Sequence, residues 1–224
     1  MPKITKNNQV SEEPTLIDGV LHQILKPASS EVRPALFLDR DGCIVVETNY
    51  LQKAEDVQLI DGAANVIASA NALNIAVIIV TNQAGIGYGY FTWKEFQKVQ
   101  DELISKLSDH GAYCDGVFAC PHHKKGLPPF QHPNHPSRKP NPGMLLSAAE
   151  SLNINLSCSW IVGDRYGDLE AGYNAGLAGG IHVSTGHGSN KNERVNSLAL
   201  ATDNFNVLTA FSIFDVPNLT NLFS

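Results

Sequence analysis

The chain has 224 residues, of which 43% are apolar and 17% charged. That balance supports a large core and excludes a disordered chain. Sixteen basic against 22 acidic residues leave a formal net charge of −6, which argues against gripping nucleic acid or an anionic membrane by bulk charge.

No apolar run reaches the roughly 18 residues of a membrane-spanning helix. The polar start MPKITKNNQVSEEP lacks the apolar middle of a secretory signal. A reducing cytoplasm and a monomer or weak dimer are the expectation. Residues 1–33 read as an N-terminal extension to a domain spanning 34–224. Within the extension, TLIDGVLHQIL (15–25) turns about Asp18-Gly19, a hairpin signal, and predicts an edge hairpin. ALFLD (35–39) is a short apolar run ending in acid. AANVIASANAL (63–73) has helical spacing, with Asp61 placed to cap it. IAVIIVTN (75–82) is continuously apolar, as a strand covered on both faces should be. Gly85, Gly87 and Gly89 form a GxGxG run that reads as a flexible pocket loop.

Residues 92–109 predict a long amphipathic helix stopped by Gly111. Trp93 and Phe96, three residues apart on it, read as core packing. Residues 115–120 predict a strand and 121–142 a loop rich in Pro and His. A helix follows at 142–152, opened by Pro142. Then come a strand ending in acid (158–164), a short helix (168–176), a strand (179–184), a polar loop (185–197), and a weaker strand and helix. Cys43 and Cys158 read as small buried thiols. His22, His110, His182 and His187 read as isolated surface or satisfied positions. The alternation predicts an α/β fold: an open, mostly parallel, Rossmann-like sheet with helices on both faces and no large cap domain.

In such sheets ligands bind beyond the carboxyl ends of the strands. Three predicted strands end in polar clusters: Asp39-Arg40-Asp41-Gly42, Thr81-Asn82-Gln83, and Gly163-Asp164-Arg165 with Asp168. The loop adds Arg138-Lys139-Pro140. Asp39 and Asp41, at i and i+2, would point the same way from an extended chain. An unpaired carboxylate directly after four apolar residues is costly without a cation, and Asp39 with Asp164 suits the few-ligand style of Mg²⁺. These parts support phosphoryl transfer. Asp39 would attack phosphorus, Asp41 would act as general acid and then base, and Thr81, Asn82 and Lys139 would hold phosphoryl oxygens. No GxxxxGK[ST] phosphate loop is present, so a nucleotide-driven kinase has no support.

DRDGCIV (39–45), VTN (80–82), RKPNPG (138–143) and GDRYGD (163–168) resemble, in order and spacing, the four motifs of the haloacid dehalogenase superfamily of phosphohydrolases. The wider pattern, with VTNQAGIGYGYFT and CPHH, resembles its heptose bisphosphate and histidinol-phosphate phosphatases. The resemblance implies Asp39 as nucleophile, Asp41 as acid/base, and Thr81 and Lys139 as phosphate holders. It implies Mg²⁺ on Asp39, Asp164 and the Asp41 carbonyl, with Asp168 orienting the site. It also implies Arg138 on the substrate and Asn82 and Gln83 at the pocket edge.

That group often carries a structural zinc on a Cys-x-His pair and a later Cys-x-Cys. Cys120 and His122 match the first pair, but the second falls on His135 and Ser137, with His123 or His132 as substitutes. Zinc on Cys120, His122 and His135 is therefore an open expectation beside a metal-free loop. The expected substrate is a small phosphorylated sugar, the 7-phosphate of a heptose bisphosphate, with extra contacts from Arg138, Lys124 and Lys125. Histidinol phosphate is the alternative; a non-enzymatic phospho-receiver fits less well, because Asp41 and the RKP placement suit hydrolysis.

Overall fold

The apolar runs line up edge to edge. The structure, a computed structural model, describes residues 13–223, so residues 1–12 of the expected extension lie outside the described residues. Eight strands are β1 (Thr15–Ile17), β2 (Val20–Ile24), β3 (Ala35–Leu38), β4 (Ala76–Asn82), β5 (Gly116–Cys120), β6 (Trp160–Gly163), β7 (Gly179–Val183) and β8 (Asn206–Ala210). They form one sheet in the order β1-β2-β5-β4-β3-β6-β7-β8. The six strands from β5 to β8 are parallel; β1 and β2 pair antiparallel, and β2 pairs antiparallel with β5. Asp18 and Gly19, at φ 49° and 72°, make the tight turn between β1 and β2, where a positive φ at both positions matches strand twist.

The helices are α1 (Ala63–Ala72), α2 (Ala84–Gly87), α3 (Trp93–Asp109), α4 (Gly143–Leu152), α5 (Tyr166–Ala175) and α6 (Lys191–Leu198). Thr92 and Glu95 close a capping box at the start of α3, satisfying two of its orphan N–H groups. Its buried residues Phe96, Val99, Leu103 and Leu107 keep one face. That face and α1 pack with Leu36, Leu38, Val77 and Ile79 on one side of the sheet. Helices α4 and α5 pack with Phe37, Ile78, Val80 and Ile161 on the other. Each such aliphatic side chain contributes roughly 1.5–3 kcal/mol on burial, so truncating Ile79, fully buried in β4, would cost about 2–5 kcal/mol.

Several expectations need correction. Gly62, not Asp61, is the N-cap of α1; it has φ 78° and no side chain caps the helix. Cys158 is exposed because it sits in a 3₁₀ turn, Leu156–Cys158, before β6 begins. The polar stretch 185–197 holds a 3₁₀ turn and most of α6, capped by the Asn190 side chain. The glycine run is not a flexible loop: Ala84–Gly87 is helical. A Cβ on Gly85 would overlap Phe91, and one on Gly87 the Pro121 carbonyl.

Candidate active site

Strand β3 sits between β4 and β6, and the strand order reverses there, which opens a crevice at the carboxyl ends. Asp39 follows β3 and Asp164 follows β6. Asp39, Asp164 and Asp168 bring carboxylate oxygens within 4.8 Å of one another, and all three are buried. The Lys139 ammonium donates to Asp39 Oδ1 (2.8 Å) and the Val80 carbonyl (2.7 Å) and pairs with Asp168 Oδ1 (2.7 Å). Three carboxylates against one ammonium leave two negative charges uncompensated if all ionise. Accordingly burial, then neighbouring carboxylates, push Asp39 up to about 7 against the pull of Lys139. Burial and the Asp39 and Asp168 charges push Asp164 up to about 8. Burial alone would lower Lys139, but Asp168 and Asp39 raise it overall.

Asp164 Oδ2 accepts from the His187 N–H at 2.7 Å, while its Oδ1 is buried with no partner. An orphaned carboxylate oxygen inside an oxygen cluster of excess negative charge is the chemistry of a hard divalent cation site. Asp168 differs: Oδ1 is on Lys139 and Oδ2 accepts from the Arg165 N–H at 3.0 Å. Gly42, at φ 83°, lies where a Cβ would overlap Asp164 Oδ2.

Asp41 lines the cleft with Asp39, but its carboxylate does not join the cluster. After Asp39 the chain leaves the extended form, with Ile44 and Val45 N–H bonded to the Arg40 carbonyl. Asp41 is gripped through both oxygens by the buried Arg40 guanidinium at 2.9–3.2 Å, and Oδ2 accepts from Gln83 at 2.9 Å. Gln83 also donates to Thr81 Oγ1 at 2.8 Å. The Asn82 side chain clasps the Lys139 backbone, donating to its carbonyl (3.0 Å) and accepting from its N–H (3.1 Å). Asn82 thus holds the lysine in place as well as bordering the cleft.

The cleft has a volume of about 440 Å³, and Thr81, Asn82, Gln83, Arg138 and Lys139 all line it. Sequence reasoning missed Glu47, Tyr50 and His187, which also line it, as do Tyr88 of the expected pocket loop and Arg165 of the third strand-end cluster. His187 is therefore not an isolated position; its Nε2 stands 3.7 Å from Glu47 Oε2. Lys124 and Lys125 are exposed and do not line the cleft; Arg165 supplies the second guanidinium instead. His182 is not at the surface: it is fully buried. Among the described residues, Cys120, His122 and His135 do not form a ligand cluster of the kind the three aspartates make. Cys120 Sγ nonetheless lies 4.0 Å from His135 Nδ1, and the His122 and His135 rings stack 3.8 Å apart with His122 Nδ1 buried and unpartnered.

The HAD-hydrolase-like family model matches residues 136–206. The D-glycero-beta-D-manno-heptose-1,7-bisphosphate 7-phosphatase of Mesorhizobium japonicum is 46% identical over 147 residues, covering 66% of this chain and 68% of that one. The Escherichia coli K12 protein of the same name is 37% identical over 153 residues, covering 68% and 80%. The chain belongs to the haloacid dehalogenase-like phosphatases. A HAD-like phosphatase structure from Mesorhizobium loti superposes with TM-score 0.74 at 41% identity, covering 77% of this chain and 83% of that one. The D,D-heptose 1,7-bisphosphate phosphatase of B. bronchiseptica, solved with magnesium and phosphate, gives 0.69 at 25% identity, covering 83% and 96%. Residues of all four motif segments converge on one crevice. No helix among the described residues is long and apolar enough to cross a membrane.

Proposed function

We propose that this phosphatase removes the 7-phosphate of D-glycero-D-manno-heptose 1,7-bisphosphate in a magnesium-dependent reaction. The observation that carries the reading is the cation arrangement. Lys139 lies at the carboxylate cluster, and two further guanidinium groups, Arg138 and Arg165, line the same cleft. A substrate with two phosphates needs positive charge at both ends, and guanidinium suits phosphate. The names of the relatives support the same sugar.

In this reading Asp39 attacks phosphorus, the bond to the sugar oxygen breaks, and Asp41 gives that oxygen its proton. Asp41 then takes a proton from water, which attacks the aspartyl-phosphate and releases phosphate and free Asp39. Thr81 and Lys139 hold the phosphoryl oxygens. Asp39, Asp164 and the Asp41 carbonyl would hold magnesium, which when bound offsets charge on the phosphoryl group. Asp168 fixes Lys139, and Arg40 with Gln83 fixes the resting position of Asp41.

The test is phosphate release from both anomers of the bisphosphate, histidinol phosphate and hexose phosphates. One heptose anomer is expected to be preferred. Asp39→Asn is expected to reduce turnover by at least about 10³-fold, since it removes the nucleophile. Preference for histidinol phosphate, whose amine could meet Glu47, would overturn the sugar assignment. Full activity of Asp39→Asn would overturn the mechanism.

A further inference from the structure

Phosphoryl chemistry leaves three tyrosines around the cleft without a task. Tyr88, just after α2, lines the cleft together with Tyr50 and Leu51. Tyr50 and Tyr90 are 46% and 58% exposed, so folding gains little from burying them. Tyr50 also sits at φ 67°, beside Asn49 at φ 55°, a left-handed backbone that is strained for a bulky residue. The three rings brace one another. Tyr50 meets Tyr90 edge-on at 5.0 Å and 83°, and Tyr88 at 6.3 Å and 79°; Tyr88 and Tyr90 stand 5.4 Å apart. Such tilted pairs are the favoured aromatic geometry. Tyr88 is also tied from behind. Its hydroxyl lies 2.8 Å from His123 Nδ1. That nitrogen accepts the Lys125 N–H at 3.0 Å, so it carries no proton and the tyrosine hydroxyl is the donor. The adjoining backbone is fixed as well, because the Gly87 carbonyl accepts the Leu127 N–H at 2.7 Å.

We propose that Tyr88 determines sugar specificity: its ring is the wall on which the C–H face of the bound sugar rests, and His123 is its positioning residue. The proposal rests on the sugar-phosphate reading above and names the contact that selects the sugar. His123 is not among the residues that line the cleft. With its hydroxyl spent there, Tyr88 turns ring carbon to the cleft and offers it no hydrogen bond. Much of the remaining lining is polar, including Glu47, Asn49, Asn82, Gln83, Arg138 and Arg165. A sugar phosphate carries hydroxyls at its rim and C–H bonds on its ring faces. The polar groups suit the rim, and only an apolar surface suits a face. A sugar with a hydroxyl turned toward Tyr88 would lose water from that group without gaining a partner, which is how such a wall rejects it.

The test is a specificity ratio measured on the full chain: kcat/KM for the heptose bisphosphate over kcat/KM for acetyl phosphate, which has no ring to stack. In Tyr88→Leu the ratio should fall roughly threefold to tenfold, the worth of one aromatic contact, with the loss in KM for the bisphosphate. Tyr88→Phe keeps the ring and loses only the tie, so it and His123→Ala should each lower the ratio by a smaller and similar factor. The double variant Tyr88→Phe/His123→Ala should lose no more than the larger single loss, because both changes remove the same bond. His123→Asn, whose amide oxygen can stand near the place of Nδ1, should recover at least half of what His123→Ala loses. A high wild-type ratio left unchanged by Tyr88→Leu overturns the wall and leaves the sugar reading standing. Losses that multiply in the double variant, or no recovery in His123→Asn, overturn the positioning role of His123. A wild-type ratio near one overturns the sugar reading, and the wall with it.

Discussion

A lysine that is 5% exposed survives in the interior only through its partners. Lys139 spends its three N–H donors on Asp39, Asp168 and the Val80 carbonyl. Removing the ammonium leaves two buried carboxylates facing each other, which costs about 3–5 kcal/mol for a broken buried pair. In the proposed mechanism it also removes a group that holds the transferring phosphoryl, worth about 10²–10³ in rate. Lys139→Met keeps the bulk and tests both. Urea unfolding in the absence of metal should show the stability loss, and kcat/KM the rate loss. A variant with near-normal turnover would remove Lys139 from the reaction.

At the scale of elements, the site depends on how closely the turn after β3 approaches the end of β6. Gly42 lies against Asp164, and a Cβ there would overlap its carboxylate. Gly186, from the 3₁₀ turn Gly186–Ser189 after β7, closes on the same oxygen. Gly42→Ala would push Asp164 off its position without touching any charge. If Asp164 holds magnesium as proposed, displacing it in this indirect way typically costs 10–100-fold in metal affinity. We expect the Mg²⁺ concentration for half-maximal turnover to rise at least about tenfold, measured by titration of initial rate. An unchanged titration would show that Asp164 does not hold the metal.

The whole molecule stores the cost of that cluster as a pH dependence. Asp39 and Asp164 are raised to about 7 and about 8, mainly by burial. Both folded values lie above the ordinary carboxylate range, so between these limits the folded state binds more protons than the unfolded. Stability therefore falls as pH rises through the window. Metal-free protein should lose on the order of 1 kcal/mol between pH 7 and pH 8.5. Magnesium needs the ionised carboxylates, so it should stabilise more at pH 8.5 than at pH 7. Thermal melts at both pH values, with and without Mg²⁺, check both signs. The window avoids the buried His182, lowered by burial, whose effect runs below its ordinary titration range.

Much of the local pattern was legible in the chain, though the cap of α1 and the exposure of Cys158 were not. Continuous apolar runs announced the parallel strands, and Asp39, Thr81 and Asp164 followed because Asp39 and Asp164 come directly after β3 and β6 and Thr81 is the next-to-last residue of β4. The Asp18-Gly19 hairpin was legible because two residues of positive φ carry their own signature. The hold on the Asp41 side chain was not legible, because it depends on the turn at 40–45 and on Arg40 and Gln83. Helix α6 was missed because its only buried residue is Ser197, which leaves no apolar stripe. Glu47, Tyr50 and His187 lie outside the strand-end clusters, and no spacing rule brings them to one cleft.

The same division governs the loop 121–138. Its missing cysteines are visible in the chain, but its contact with Asp18, more than a hundred residues earlier, exists only once β2 has paired with β5. Local periodicity and strand-end chemistry thus determined the fold class and the carboxylates that follow β3 and β6, because backbone geometry links each to its neighbours. Which side chains face one another across the cleft was decided by packing alone, since that depends on distances between elements that sequence separation does not encode.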